Sequence, residues 1–208
     1  MPSSDVDRRE HLTAQVSGIV DELERANAAR EAALPACRRA IRAAGSSIRA
    51  VHALEPGRAA LLADEAEAAL RHAQRLLVDF PAVAYAGFLH DAEKEYVEAR
   101  AVAALIAGDT VLGPEELTVG ASAWMRGLAE AASELRRHLL DRLREDDLAR
   151  SEALLAAMDQ VYDALVVVDY PDALTNGLRR TLDALRAVLE RSRGDVTTAT
   201  VVRSRLRD

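Results

Sequence analysis

Cys37 is the single cysteine among 208 residues, which excludes an internal disulfide and any multi-cysteine zinc site. Aromatic residues make up only 3% of the chain. That is too few for the stacking platforms with which β-sheet RNA binders hold bases. A core so poor in rings has to be built from Leu, Ala and Val, which suits close helix–helix packing better than a β-sandwich. No window approaches the ~18 consecutive apolar residues of a membrane span. The N-terminal stretch with Ser3, Ser4, Asp5, Arg8 and Arg9 lacks the apolar centre of a secretory signal, so the expected location is cytoplasmic. Lysine is nearly missing as well: Lys94 is the only one, and every other cation is arginine.

What is present is a helical pattern. Half the residues are hydrophobic, and a chain this long can bury roughly 70% of its unfolded surface as one domain. Leu12, Val16, Ile19 and Leu23 recur at steps of three and four, which predicts an amphipathic helix from about Asp5. Pro35 is expected to start or kink a second segment reaching about Leu54, where Pro56-Gly57 breaks the chain. Ala- and Leu-rich stripes predict a third helix ending before Pro81 and a fourth from about Ala82 to Ala107. The longest loop follows, with Gly108, Gly113 and Pro114. Trp124, Leu128, Ala131, Leu135 and Leu139 mark a fifth helix, and Leu154, Met158, Val161, Leu165 and Val168 a sixth. Pro171 is placed to open a last helix that Gly194 closes. The expected fold is an all-α antiparallel bundle of six to seven helices over 1–195, with 196–208 as a flexible C-terminal tail.

Two features carry chemistry. In Glu95-Tyr96-Val97-Glu98-Ala99, carboxylates three residues apart share one helix face, with Cβ atoms about 5–6 Å apart. Like charges that close need solvation, a basic neighbour such as Lys94, Arg100 or Arg126, or a shared cation. Asp91 lies one turn earlier on the same face. The second feature is a basic stripe. The net charge is −7, yet no acidic residue occurs from Ala32 to Leu54. Within that window Arg38, Arg42, Gly45, Arg49 and His52 line one face, with Arg39 beside it. Such a stripe suits the phosphates of a nucleic acid without reading sequence. It equally suits acids such as Asp64, Glu65 and Glu67 on a neighbouring helix.

The Glu-Tyr-Val-Glu-Ala string resembles the translin/Trax family, whose Trax-type subunits carry it. The likeness continues through Gly127, Ser133-Glu134-Leu135, Asp147, Gln160-Val161-Tyr162-Asp163 and Arg193-Gly194. It implies a translin-type bundle that assembles into a hollow, octamer-like homo-oligomer. It implies single-stranded RNA, or single-stranded DNA, as partner, with Arg38, Arg39, Arg42, Arg49 and His52 as contacts. It further implies an Mg²⁺- or Mn²⁺-dependent endoribonuclease in which Glu95, Glu98 and Asp147 are catalytic and metal-binding. In this register two further family acids fall on Ala149 and Ala153, so Asp146 and Glu152 are the nearby substitutes, with Asp91 as another weaker ligand. Glu134 reads as an internal ion-pair partner, and Asp147 also reads as a helix N-cap. The alternative is a non-catalytic nucleic-acid-binding oligomer of translin type.

Overall fold

The computed structural model describes residues 3–205. Every regular element in it is helical, and no strand occurs among the described residues. Six long helices form the bundle: α1 (Ser3–His52), α2 (Pro56–Leu77), α4 (Phe88–Ala107), α5 (Ala121–Arg144), α6 (Leu148–Val166) and α8 (Leu178–Arg205). Two single turns, α3 (Pro81–Ala84) and α7 (Asp172–Thr175), fill corners. The fold class is the expected all-α bundle.

The boundaries differ from the sequence reading in three places. The two segments expected on either side of Pro35 are one helix of 50 residues with the proline inside it. An interior proline removes one i→i−4 hydrogen bond and costs about 3 kcal/mol. Here it lies where α1 enters the bundle: from Ala33 onward each turn is buried by α2 and α4, and that packing carries the helix past the defect. The fourth helix begins at Phe88 rather than Ala82, because Gly87 at φ 102° turns the chain between α3 and α4. Gly194 does not close the last helix. Residues 196–205, expected as tail, continue α8, with Val196 buried and Asp195 paired to Arg136 on α5 at 2.7 Å. Residues 206–208 of that expected tail, like residues 1 and 2, lie outside the described residues.

The core is as poor in rings as the composition demands. It consists of interleaved Ala and Leu, with Tyr96 as its largest fully buried side chain. Small side chains allow helices to approach closely, and the extreme case is Gly127 on α5. A Cβ built there would lie 2.6 Å from the Lys94 carbonyl oxygen and 2.8 Å from Val97 Cβ. Only glycine fits, so α5 lies directly on the part of α4 that carries the carboxylate pair. The first half of α1 is the opposite case. Among the described residues, Leu12, Val16, Ile19 and Leu23 are left 56–62% exposed. No helix among the described residues is long and apolar enough to cross a membrane.

Candidate metal centre

Tyr96 and Val97 occupy the inward face of α4 and are fully buried. The Tyr96 hydroxyl donates to Glu67 Oε2 at 2.8 Å, and Arg100 braces the same pair from the side. This anchoring fixes the rotation of α4, so that Glu95 and Glu98 point along its seam with α5. Glu130 meets them there, one turn beyond Gly127. One carboxylate oxygen each from Glu95, Glu98 and Glu130 lies within 4.8 Å of the other two, and all three residues are half-buried. Burial, and then the neighbouring Glu95 and Glu130 carboxylates, push Glu98 up to about 8.

Cations already serve this cluster. Lys94 Nζ lies 3.0 Å from Glu95 Oε1 and also donates to Glu130. Burial alone would lower the lysine, but its bonds to Glu130 and Glu95 outweigh that and hold it above its ordinary value. Arg126 reaches Glu130 from the other side at 3.5 Å. One turn further along α5, Glu134 accepts from His52 Nε2 at 2.8 Å, and that bond holds its carboxyl below the usual range despite burial. Three convergent oxygen donors that repel one another are the chemistry of a hard divalent cation site such as Mg²⁺ or Mn²⁺. The residues present therefore fit the ion that the resemblance implies.

Glu95 and Glu98 are brought together as expected, but the third acid is a different one. Asp147 is not in this group. It is the N-cap of α6, exposed, with Oδ1 accepting from Arg150 N at 3.1 Å. Asp146 sits at φ 59° in the turn between α5 and α6, near Arg203. Glu152 is exposed on α6, as are Ala149 and Ala153, and none of the acids expected after α5 is among the three that converge. Asp91 is exposed in the first turn of α4, where a negative charge suits the helix dipole. The missed residue, Glu130, had one legible signal. Glu130 and Glu134 form a like-charged i,i+4 pair, unfavourable on a helix unless something compensates it, and they follow a glycine in an otherwise apolar stripe.

The basic stripe divides. Arg38, Arg39, Arg42 and Arg49 are exposed along α1. Arg49 bonds only to Ser46 Oγ, and Arg38, Arg39 and Arg42 make no ion pair among the described residues. Asp64 and Glu67, acids that could have partnered them, are taken by Arg100 instead. His52 leaves the group: its side chain is 2% exposed and committed to Glu134. Through His52 and its bond to Glu134, the end of α1 lies one turn of α5 from Glu130. Cys37 is buried on the core side, and burial raises its thiol to about 11, too high for thiolate chemistry.

No protein-family model matches the chain. In sequence it is 32% identical over 123 residues to an uncharacterised protein of Methanocaldococcus jannaschii, covering 59% of this chain and 54% of that protein, so the match spans about half of the relative's length. In structure it is similar to AfC3PO in a complex with duplex RNA, at 32% identity and a TM-score of 0.84, over 91% of this chain and 98% of that one. AfC3PO in a second crystal structure gives the same identity and coverage with a TM-score of 0.83. Apo-NeC3PO shares the fold, at a TM-score of 0.77 and 17% identity over 88% of this chain and 96% of that one.

Proposed function

The chain belongs to the translin/Trax family, and from that premise we propose that it binds RNA and cuts single-stranded RNA with a divalent cation held by Glu95, Glu98 and Glu130. The observation that carries this reading is the convergence of three carboxylates from two helices onto one point, with Glu98 half-buried among them. Glu95, Glu98 and Glu130 would hold Mg²⁺ or Mn²⁺, which when bound would supply an activated water and neutralise charge on the phosphodiester. Tyr96 and Gly127 fix the helices that present them. The exposed arginines of α1 would track the RNA backbone towards the cluster, and the duplex RNA bound by AfC3PO supports RNA as the ligand class.

A homo-oligomer is part of this reading. Leu12, Val16, Ile19 and Leu23 form a continuous apolar edge on a helix that projects from its own bundle. A second copy of the chain is the occupant that the family's assembled shells suggest, and a shell would enclose the arginines and the carboxylates together.

The test is cleavage of an end-labelled single-stranded RNA in Mg²⁺ or Mn²⁺ by the wild type and by Glu98→Ala. Cleavage should vanish in the variant while retention of the RNA on a filter is unchanged. Equal cleavage by both proteins would remove the catalytic assignment, and failure of the wild type to retain RNA would remove the binding one.

A further inference from the structure

We propose that Lys94 is the resident counter-cation of the carboxylate cluster: it holds Glu95 and Glu130 together across the α4–α5 seam and is displaced when a divalent cation binds, so that it sets the affinity of the site. This rests on the metal reading above. The ammonium bonds to two of the three carboxylates that would ligate the ion, Glu95 at 3.0 Å and Glu130. Its side chain is 11% exposed, so water screens these bonds little. The oxygens that the lysine occupies are the oxygens a metal needs. A divalent ion and an ammonium sharing them would lie within a few ångströms and repel strongly in this half-buried setting.

The identity of the residue agrees with this role. Every other cation in the chain is an arginine, and an arginine is close by, since Arg126 reaches Glu130 from the far side. A guanidinium is a broad planar fork with its charge spread over five N–H donors. An ammonium is a compact point charge that fits between two carboxylates. The lysine backbone is clamped, because its carbonyl packs against Gly127 at a distance that admits no side chain there. The flexible four-carbon stem is therefore the part free to move, and the charge can leave the carboxylates without disturbing the helix pair.

Two measurements on the full chain decide the matter. The first is Mn²⁺ uptake, read as the loss of the free-ion paramagnetic resonance signal, for the wild type, Lys94→Met and Glu98→Gln. Lys94→Met should bind Mn²⁺ at least about tenfold more tightly than the wild type, and Glu98→Gln should bind it weakly or not at all. The metal-free Lys94→Met protein should melt below the wild type, with the gap closing at saturating Mn²⁺. The second needs no variant. Because Lys94 is the only lysine, acylation by an amine-reactive ester, read on the peptide that contains it, reports this one side chain. Saturating Mg²⁺ should accelerate its labelling several-fold.

Unchanged or weaker Mn²⁺ binding in Lys94→Met, or labelling that Mg²⁺ leaves alone or slows, overturns the counter-cation role while the metal site stands. Absence of Mn²⁺ uptake by both the wild type and Lys94→Met overturns the metal site itself.

Discussion

His52 at the end of α1 donates through Nε2 to Glu134 on α5 across 2.8 Å, and this bond joins the arginine-bearing helix to the helix that supplies Glu130. The histidine ring is buried, and its Nδ1 has no hydrogen-bond partner among the described residues. The ring is turned in to Glu134 and away from solvent. His52→Ala should leave RNA affinity within about twofold and lower stability by about 1–2 kcal/mol, since it strips a half-buried carboxylate of its donor. Filter binding and thermal melting on the same preparation check both halves.

The arginines should behave in the opposite way. Arg38, Arg42 and Arg49 are exposed, so replacing any one by Ala should cost the fold under about 0.5 kcal/mol. Each RNA phosphate left without its arginine should reduce the slope of log affinity against log salt by about 0.7–0.9. A titration of single-stranded RNA at several salt concentrations gives that slope directly. A slope equal to that of the wild type in the triple variant would place the RNA elsewhere.

Gly127→Ala tests how α5 reaches α4. The added methyl meets backbone at 2.6 Å and Val97 at 2.8 Å, so the helices must part. Overpacking of this kind costs about 1–3 kcal/mol, and it should carry Glu130 away from Glu95 and Glu98. Melting temperature and Mn²⁺ uptake should fall together. The same substitution at Gly18, which has open space around the site of a Cβ, should lower neither.

Glu98 makes stability depend on pH. Its folded value of about 8 exceeds the ordinary 4.5, first because of burial and then because of Glu95 and Glu130. The folded state therefore holds this proton more tightly than the unfolded chain does. The resulting stabilisation is complete below the unfolded value, shrinks as pH rises, and is gone above about 8. Without divalent ions the wild type should lose melting temperature relative to Glu98→Gln between about pH 5 and about pH 9. Mg²⁺ should reverse that loss at the alkaline end for the wild type alone. Parallel melting curves of the two proteins across pH would refute the assignment.

Val16→Glu and Ile19→Glu place charges in the exposed edge of α1, where the chain's own bundle loses nothing. Light scattering should show a smaller assembly with unchanged helical content by circular dichroism. An unchanged mass would rule out this edge as a contact between copies of the chain.

The bundle is legible in the sequence because its Ala and Leu stripes keep helical period from α2 to α8, and because Pro56, Pro81, Gly108 and Pro171 punctuate it. The sequence misleads where a local breaker is outweighed by packing that only the folded chain supplies. Pro35 is carried by the burial of every turn after Ala33, and Gly194 by α8 docking through Val196 and Asp195. In the site, Glu95 and Glu98 are legible because they lie on one helix. Glu130 is legible only as half of a like-charged pair with Glu134, because its approach to the other two depends on the close contact at Gly127. Asp147 is singled out by register alone, and the fold uses it to satisfy a backbone N–H at the start of α6. His52 keeps the period of the arginine stripe, but period cannot tell an outward cation from one turned in to a carboxylate.

Because Pro35 does not break it, α1 acts as a ruler. Leu23, the last residue of the apolar edge, and His52, the anchor beside the carboxylates, lie on a single helix at ~1.5 Å per residue, which separates them by roughly 44 Å. Whatever docks on the outer half is thereby held at a set span from the carboxylate end. Lengthening or shortening the helix by one residue between those points would also rotate one end against the other by about 100°, so both the reach and the phase of the outer half relative to the bundle are written into the residue count of one element.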